Sequence, residues 1–180
     1  MTPEQRRYLF VECVIGAAVV NALINGGLGW VATRGYPTFP VWKLPGVAAD
    51  LLGTAYGVSF GTCIGAALQV KIDRARGRIT TPSTVPERLA PIISAMPRNL
   101  LARAIAVGIA SVAVLGPLVA LGLYFYGAPA FGRQPFLVLK SAFSAVEGAV
   151  VTPVIVLAAL LDSTAPAAVA TSVTDGGRSP

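Results

Sequence analysis

The residues that could do chemistry in this sequence are few, and apolar sequence surrounds them. Lys140 and Glu147 are seven apart with Ser144 between them, Asn21 and Asn25 are four apart, and Asp50 stands seven before Gly57. Spacings of four and seven place side chains on one face of a helix. A charge at mid-bilayer costs about 2.5–3.5 kcal/mol on insertion scales, so it is turned inward and given a partner. Glu147 falls about 18 Å below the outer end of its span at 1.5 Å rise per residue. Asn21, Asn25, Asp50, Lys140, Ser144 and Glu147 all fall between the outer interface and the midplane. They are therefore expected to converge on one polar cavity open to the outside. In it Asp50 pairs with Lys140, and Glu147 has Ser144, Asn21 and Asn25 as neighbours. An intramembrane carboxyl so placed has the chemistry of a proton carrier. The structural alternative is that the asparagines tie helices together and Lys140 neutralises Glu147 within one helix.

Other chemistry is excluded more firmly. The chain has no histidine, which removes the usual general base and the commonest transition-metal ligand. Cys13 and Cys63 lie in apolar stretches, where a free thiol is a small packing residue. Two cysteines alone make neither a zinc site nor a disulfide framework. The motifs H-E-x-x-H, G-x-x-x-x-G-K-[ST] and G-x-G-x-x-G are absent. Lys140 and Ser144 have the spacing of a Ser–Lys dyad, but Glu147 nearby would keep the lysine as an ammonium. No enzyme activity and no cofactor are expected.

The elements that must position these residues are membrane spans. Of 180 residues, 54% are hydrophobic and 12% charged, against about 25% charged in a soluble domain. A bilayer core needs roughly 20 apolar residues per helix, and four segments qualify, at about 8–32, 47–70, 104–126 and 135–161. The first is too long for the apolar region of a signal peptide and reads as a retained span. Glu12, about a turn from its inner end, is expected to snorkel toward headgroups or Arg6. The predicted fold is all-α, an integral membrane four-helix bundle of two hairpins with a cytoplasmic connection. It forms one domain over 1–162, followed by a disordered cytoplasmic tail over 163–180.

Charge sets the expected orientation. Arg6, Arg7, Lys71, Arg74, Arg76, Arg78, Arg88, Arg98, Arg103 and Arg178 fall on one side, and Arg34, Lys43 and Arg133 on the other. The richer side is expected to be cytoplasmic, with both termini there. The net charge of +6 is thereby explained without nucleic acid, for which a basic stripe with stacking aromatics is missing. The outer loop around Pro37, Pro40 and Pro45 should be a stiff extended cap. The stretch between Pro86 and Arg103 should be a short, proline-broken amphipathic segment on the inner leaflet.

Two features concern packing. Gly53, Gly57, Gly61 and Gly65 recur every four residues, a step of about 400° that leaves a bare, slowly drifting stripe. Lipid gives no hydrophobic reward for helix association, so such a stripe marks close approach of another helix, within the chain or across a dimer. Pro117 and Pro153 are candidate hinges. The chain is similar in outline to small four-span bacterial membrane proteins, a likeness that carries no residue roles across. The expectation is thus a multi-pass protein of a cell membrane, of the bacterial inner-membrane kind. Its partners would be the lipid bilayer and a second copy or another membrane protein. It would act as a small transporter or permeation protein, or else as a scaffold or accessory subunit packing through the glycine stripe.

Overall fold

The computed structural model describes residues 2–80 and 87–162. The tail over 163–180, for which disorder is expected, lies outside the described residues. The elements in order are α1 (Pro3–Arg7), a π-helical stretch (Tyr8–Ile15), α2 (Gly16–Ala32), β1 (Thr38–Pro40), α3 (Val47–Ala75), α4 (Ala90–Ser94), α5 (Leu100–Tyr126), β2 (Ala130–Gly132) and α6 (Arg133–Asp162). Four helices are long and apolar enough to cross a membrane, namely Pro3–Ala32, Val47–Ala75, Leu100–Tyr126 and Arg133–Asp162.

Local chemistry explains the ends. Thr2 caps α1 by accepting from the Gln5 amide, and Gln5 Oε1 in turn accepts from the Thr2 amide, a reciprocal capping box. Asn99 caps α5 by accepting from the Ala102 amide. Gly127 ends that helix in the left-handed region at φ 72°, a conformation that glycine adopts without a Cβ clash. Pro117 and Pro153 lie inside α5 and α6, and both helices continue through them.

The helix ends gather at two places. At one end β1 pairs antiparallel with β2, Phe39 opposite Phe131, and Arg133 Nε donates to Thr33 Oγ1 at 3.2 Å. The stiff outer cap is thus part of a small two-stranded ribbon, an addition to the all-α expectation. Val41, Val47, Leu51, Leu123, Phe131 and Phe136 pack beneath it. At the other end Tyr8, Leu9, Val70, Ile79, Val156, Leu157 and Leu160 form an inner cluster. Between them Cys63, Ala104 and Ile155 are buried. The short amphipathic stretch is present as α4, with Ile93 packed on the inner cluster and Ile92 exposed.

The four long helices take the form of a row of neighbours, α2–α6–α3–α5, with α2 and α3 scarcely touching. Burial agrees: 56% of the apolar window of α6 is buried, against 6% for the first helix. Glycines allow the close pairs. A Cβ on Gly148 would lie 2.6 Å from Asn21 Nδ2, and one on Gly29 3.1 Å from Lys140 Cδ. A Cβ on Gly108 would lie 2.8 Å from the Tyr56 ring, and one on Gly116 3.3 Å from Leu52. The glycines that bring α2 to α6 and α5 to α3 are therefore not those of the repeating stripe.

Candidate functional site

Because α2 stands off α3, a groove of about 700 Å³ opens between them with α6 as its floor. On the first helix its lining runs from Tyr8 to Leu28. That is about 30 Å at 1.5 Å per residue, the thickness of a bilayer core. Most of the lining is apolar, but Glu12, Asn21, Asn25, Thr62, Gln69 and Asp73 recur along it. Gly57, Gly61 and Gly65 form part of the α3 wall. Among the described residues no other element comes within 4 Å of where a Cβ would stand on any of them, or on Gly53, and no helix packs against the stripe.

The asparagines sit where three helices meet. Asn21 Nδ2 donates to Ala17 O at 2.9 Å and to Thr62 Oγ1 on α3 at 3.1 Å. Asn25 Nδ2 donates to Asn21 O at 3.0 Å. That same carbonyl accepts from Ser144 Oγ on α6 at 3.1 Å. Among the described residues neither amide oxygen accepts a hydrogen bond, so both remain able to do so.

The six polar residues expected in one cavity divide into three sets. Lys140 Nζ reaches both Asp50 carboxylate oxygens at 2.7 Å, the pairing expected from their depth. Asn21, Asn25 and Ser144 form the α2–α6 seam. Glu147 belongs to neither set. It is 4% exposed and accepts from Ser59 Oγ of α3 at 2.8 Å. Ser59 in turn hydrogen-bonds the Ser111 hydroxyl of α5. Glu147 Oε2 is buried without a hydrogen-bond partner among the described residues. The expected neighbourhood of Glu147 with Ser144, Asn21 and Asn25 is thus corrected, and so is the single outward-facing cavity. The physical reason is angular: three residues along a helix turn the side chain by about 300°, enough to aim Ser144 and Glu147 at different neighbours.

The arginine-rich mouth of the groove holds a cluster that lies outside the expected site residues. Asp73 is 1% exposed. It accepts from Tyr8 Oη at 2.8 Å, Gln69 Nε2 at 2.7 Å and Arg78 Nη1 at 3.1 Å. Arg78 also reaches Glu12 at 3.3 Å, so Glu12 has an arginine partner other than the expected Arg6. The cluster fastens the π-helical stretch to the end of α3. It was hidden because α3 continues to Ala75, past the expected limit at residue 70, which carries Asp73 into the helix. The spacing of four between Gln69 and Asp73 was its one legible sign.

Among the described residues, no group of three His, Cys, Asp or Glu side chains could hold a metal ion. Cys13 lines the groove and Cys63 is fully buried, both as free thiols. No protein-family model matches the chain, and comparisons with curated proteins and with solved structures found none similar to it.

Proposed function

We propose that this chain is a membrane scaffold or accessory subunit that receives a transmembrane helix, from another protein or a second copy, in the groove between α2 and α3. One observation carries the reading: Gly57, Gly61 and Gly65 line a groove of bilayer depth, and among the described residues no other element comes within 4 Å of their Cβ positions. In lipid, helices associate by close backbone approach and interhelical hydrogen bonds. A bare wall beside two amide oxygens able to accept offers both. The protein would sit in a cell membrane with its arginine-rich end in the cytoplasm.

A second reading, transport along the same groove, is favoured by the polar residues from Glu12 and Asp73 to Asn25. It draws nothing from Glu147, which faces away.

A photo-crosslinking side chain at Gly61, compared with one at Val114 on the exposed face of α5, tests the assembly reading in native membranes. A protein adduct is expected at Gly61 alone, lost when Gly57→Leu fills the wall. Lipid adducts only, at both positions, would end it. Flux into proteoliposomes that falls on Asn21→Leu would move the conclusion to transport.

A further inference from the structure

At the arginine-rich end, a second cavity of about 570 Å³ opens where α3 and α6 end and α5 begins. It is independent of the groove and of the assembly reading. Lys71 and Arg74 of α3, Arg103 of α5 and Asp162 of α6 line it, over a floor that includes Val70 and Ala159. Arg103 is 3% exposed. Its Nε donates to Pro97 O at 2.9 Å, and its Nη1 forms an ion pair with Asp162. The carboxylate in the lining therefore already faces a guanidinium, and cations outnumber carboxylates by three to one along the described lining.

Such a cavity suits an anion, and its position selects the kind. It opens at the ends of helices whose neighbouring side chains Leu68, Ile72 and Leu101 are exposed, as lipid-facing residues are. A molecule with a phosphate in the cavity and alkyl chains beside it would meet both surfaces. Basic cavities between helices at the inner leaflet have the chemistry for anionic headgroups. We propose that this cavity binds the headgroup phosphate of an anionic phospholipid, with its acyl chains lying along Leu68 and Leu101. Lys71, exposed at the rim, supplies a cation that can be removed without touching the Arg103–Asp162 pair.

The test is native mass spectrometry of the full chain in detergent, titrated with phosphatidylglycerol or with phosphatidylcholine of the same acyl length. Phosphatidylglycerol should bind more tightly. Lys71→Gln should weaken it about fivefold, the equivalent of about 1 kcal/mol for one basic residue. Lys71→Arg should restore it, and Arg88→Gln, which removes an equal charge outside the cavity, should leave it unchanged. Equal binding of the two lipids, or equal losses for Lys71→Gln and Arg88→Gln, would overturn the proposal. Displacement of the lipid by millimolar inorganic phosphate would make this a soluble-anion site and overturn it too.

Discussion

Ser59 Oγ donates to Glu147 Oε1 at 2.8 Å, and this bond holds the mid-span carboxyl of α6 against α3 and away from Asn21. The consequence is a polar bridge inside the protein rather than a wall of the groove. Ser59→Ala removes the hydrogen bond that α3 gives this buried group, and losing one partner of a buried polar pair costs about 1–3 kcal/mol. Ser111→Ala leaves the Ser59–Glu147 bond in place and should cost less. Unfolding free energies in mixed micelles check the order; equal losses would mean that Ser59 does not hold Glu147.

The Lys140–Asp50 pair should respond asymmetrically. The Lys140 side chain is 8% exposed and that of Asp50 32%. Asp50→Asn therefore leaves an unpartnered ammonium in the protein, whereas Lys140→Met leaves a carboxylate that water reaches in part. Breaking a fully buried pair costs about 3–5 kcal/mol, and the partial exposure of Asp50 lowers that figure, more so for Lys140→Met. The double variant should recover most of the loss, with a coupling energy of about 1 kcal/mol or more. Additive losses in that cycle would show that the pair contributes no interaction of its own.

These two cases mark how far the sequence was legible. Apolar runs located all four long helices, because hydrocarbon demands about 20 apolar residues whatever the neighbours are. Depth paired Asp50 with Lys140, since the two occupy corresponding heights in adjacent spans. Depth could not say which neighbour each face of α6 meets, and that separates Ser144, bonded to Asn21, from Glu147, bonded to Ser59. The glycine repeat was legible as a bare stripe but not as an open one. The packed glycines, Gly29, Gly108 and Gly148 among them, stand outside that repeat and carried no spacing signal. Pairing of residues 38–40 with 130–132 depends on contacts across the chain that no local pattern announces.

The two kinds of glycine should part under substitution. Gly148→Ala and Gly108→Ala place a Cβ 2.6 Å from Asn21 Nδ2 and 2.8 Å from the Tyr56 ring, so helices must shift, at about 1–3 kcal/mol each. Gly53→Ala and Gly61→Ala meet open space, and replacing an exposed helical glycine by alanine gains up to about 1 kcal/mol. Thermal unfolding of the purified single chain should rank them so. If Gly61→Ala were as harmful as Gly148→Ala in a monomer, the stripe would be packed within the chain after all.

The inner clamp makes a prediction about motion as well as stability. Asp73 holds Tyr8, Gln69 and Arg78 together at 2.7–3.1 Å, and Tyr8 begins the π-helical stretch Tyr8–Ile15. Hydrogen bonds to a charged group contribute about 1.5–3 kcal/mol, so Asp73→Ala releases one end of that stretch from α3. Amide hydrogen exchange should then rise across residues 8–15 while the outer half of α2, held by Ser144 and Gly148, keeps its protection. Tyr8→Phe, which removes one of the three bonds, should give a smaller rise confined to the same residues. Unchanged exchange in both variants would mean that packing of Leu9 against Val156 and Leu160, rather than the carboxylate, holds the inner end.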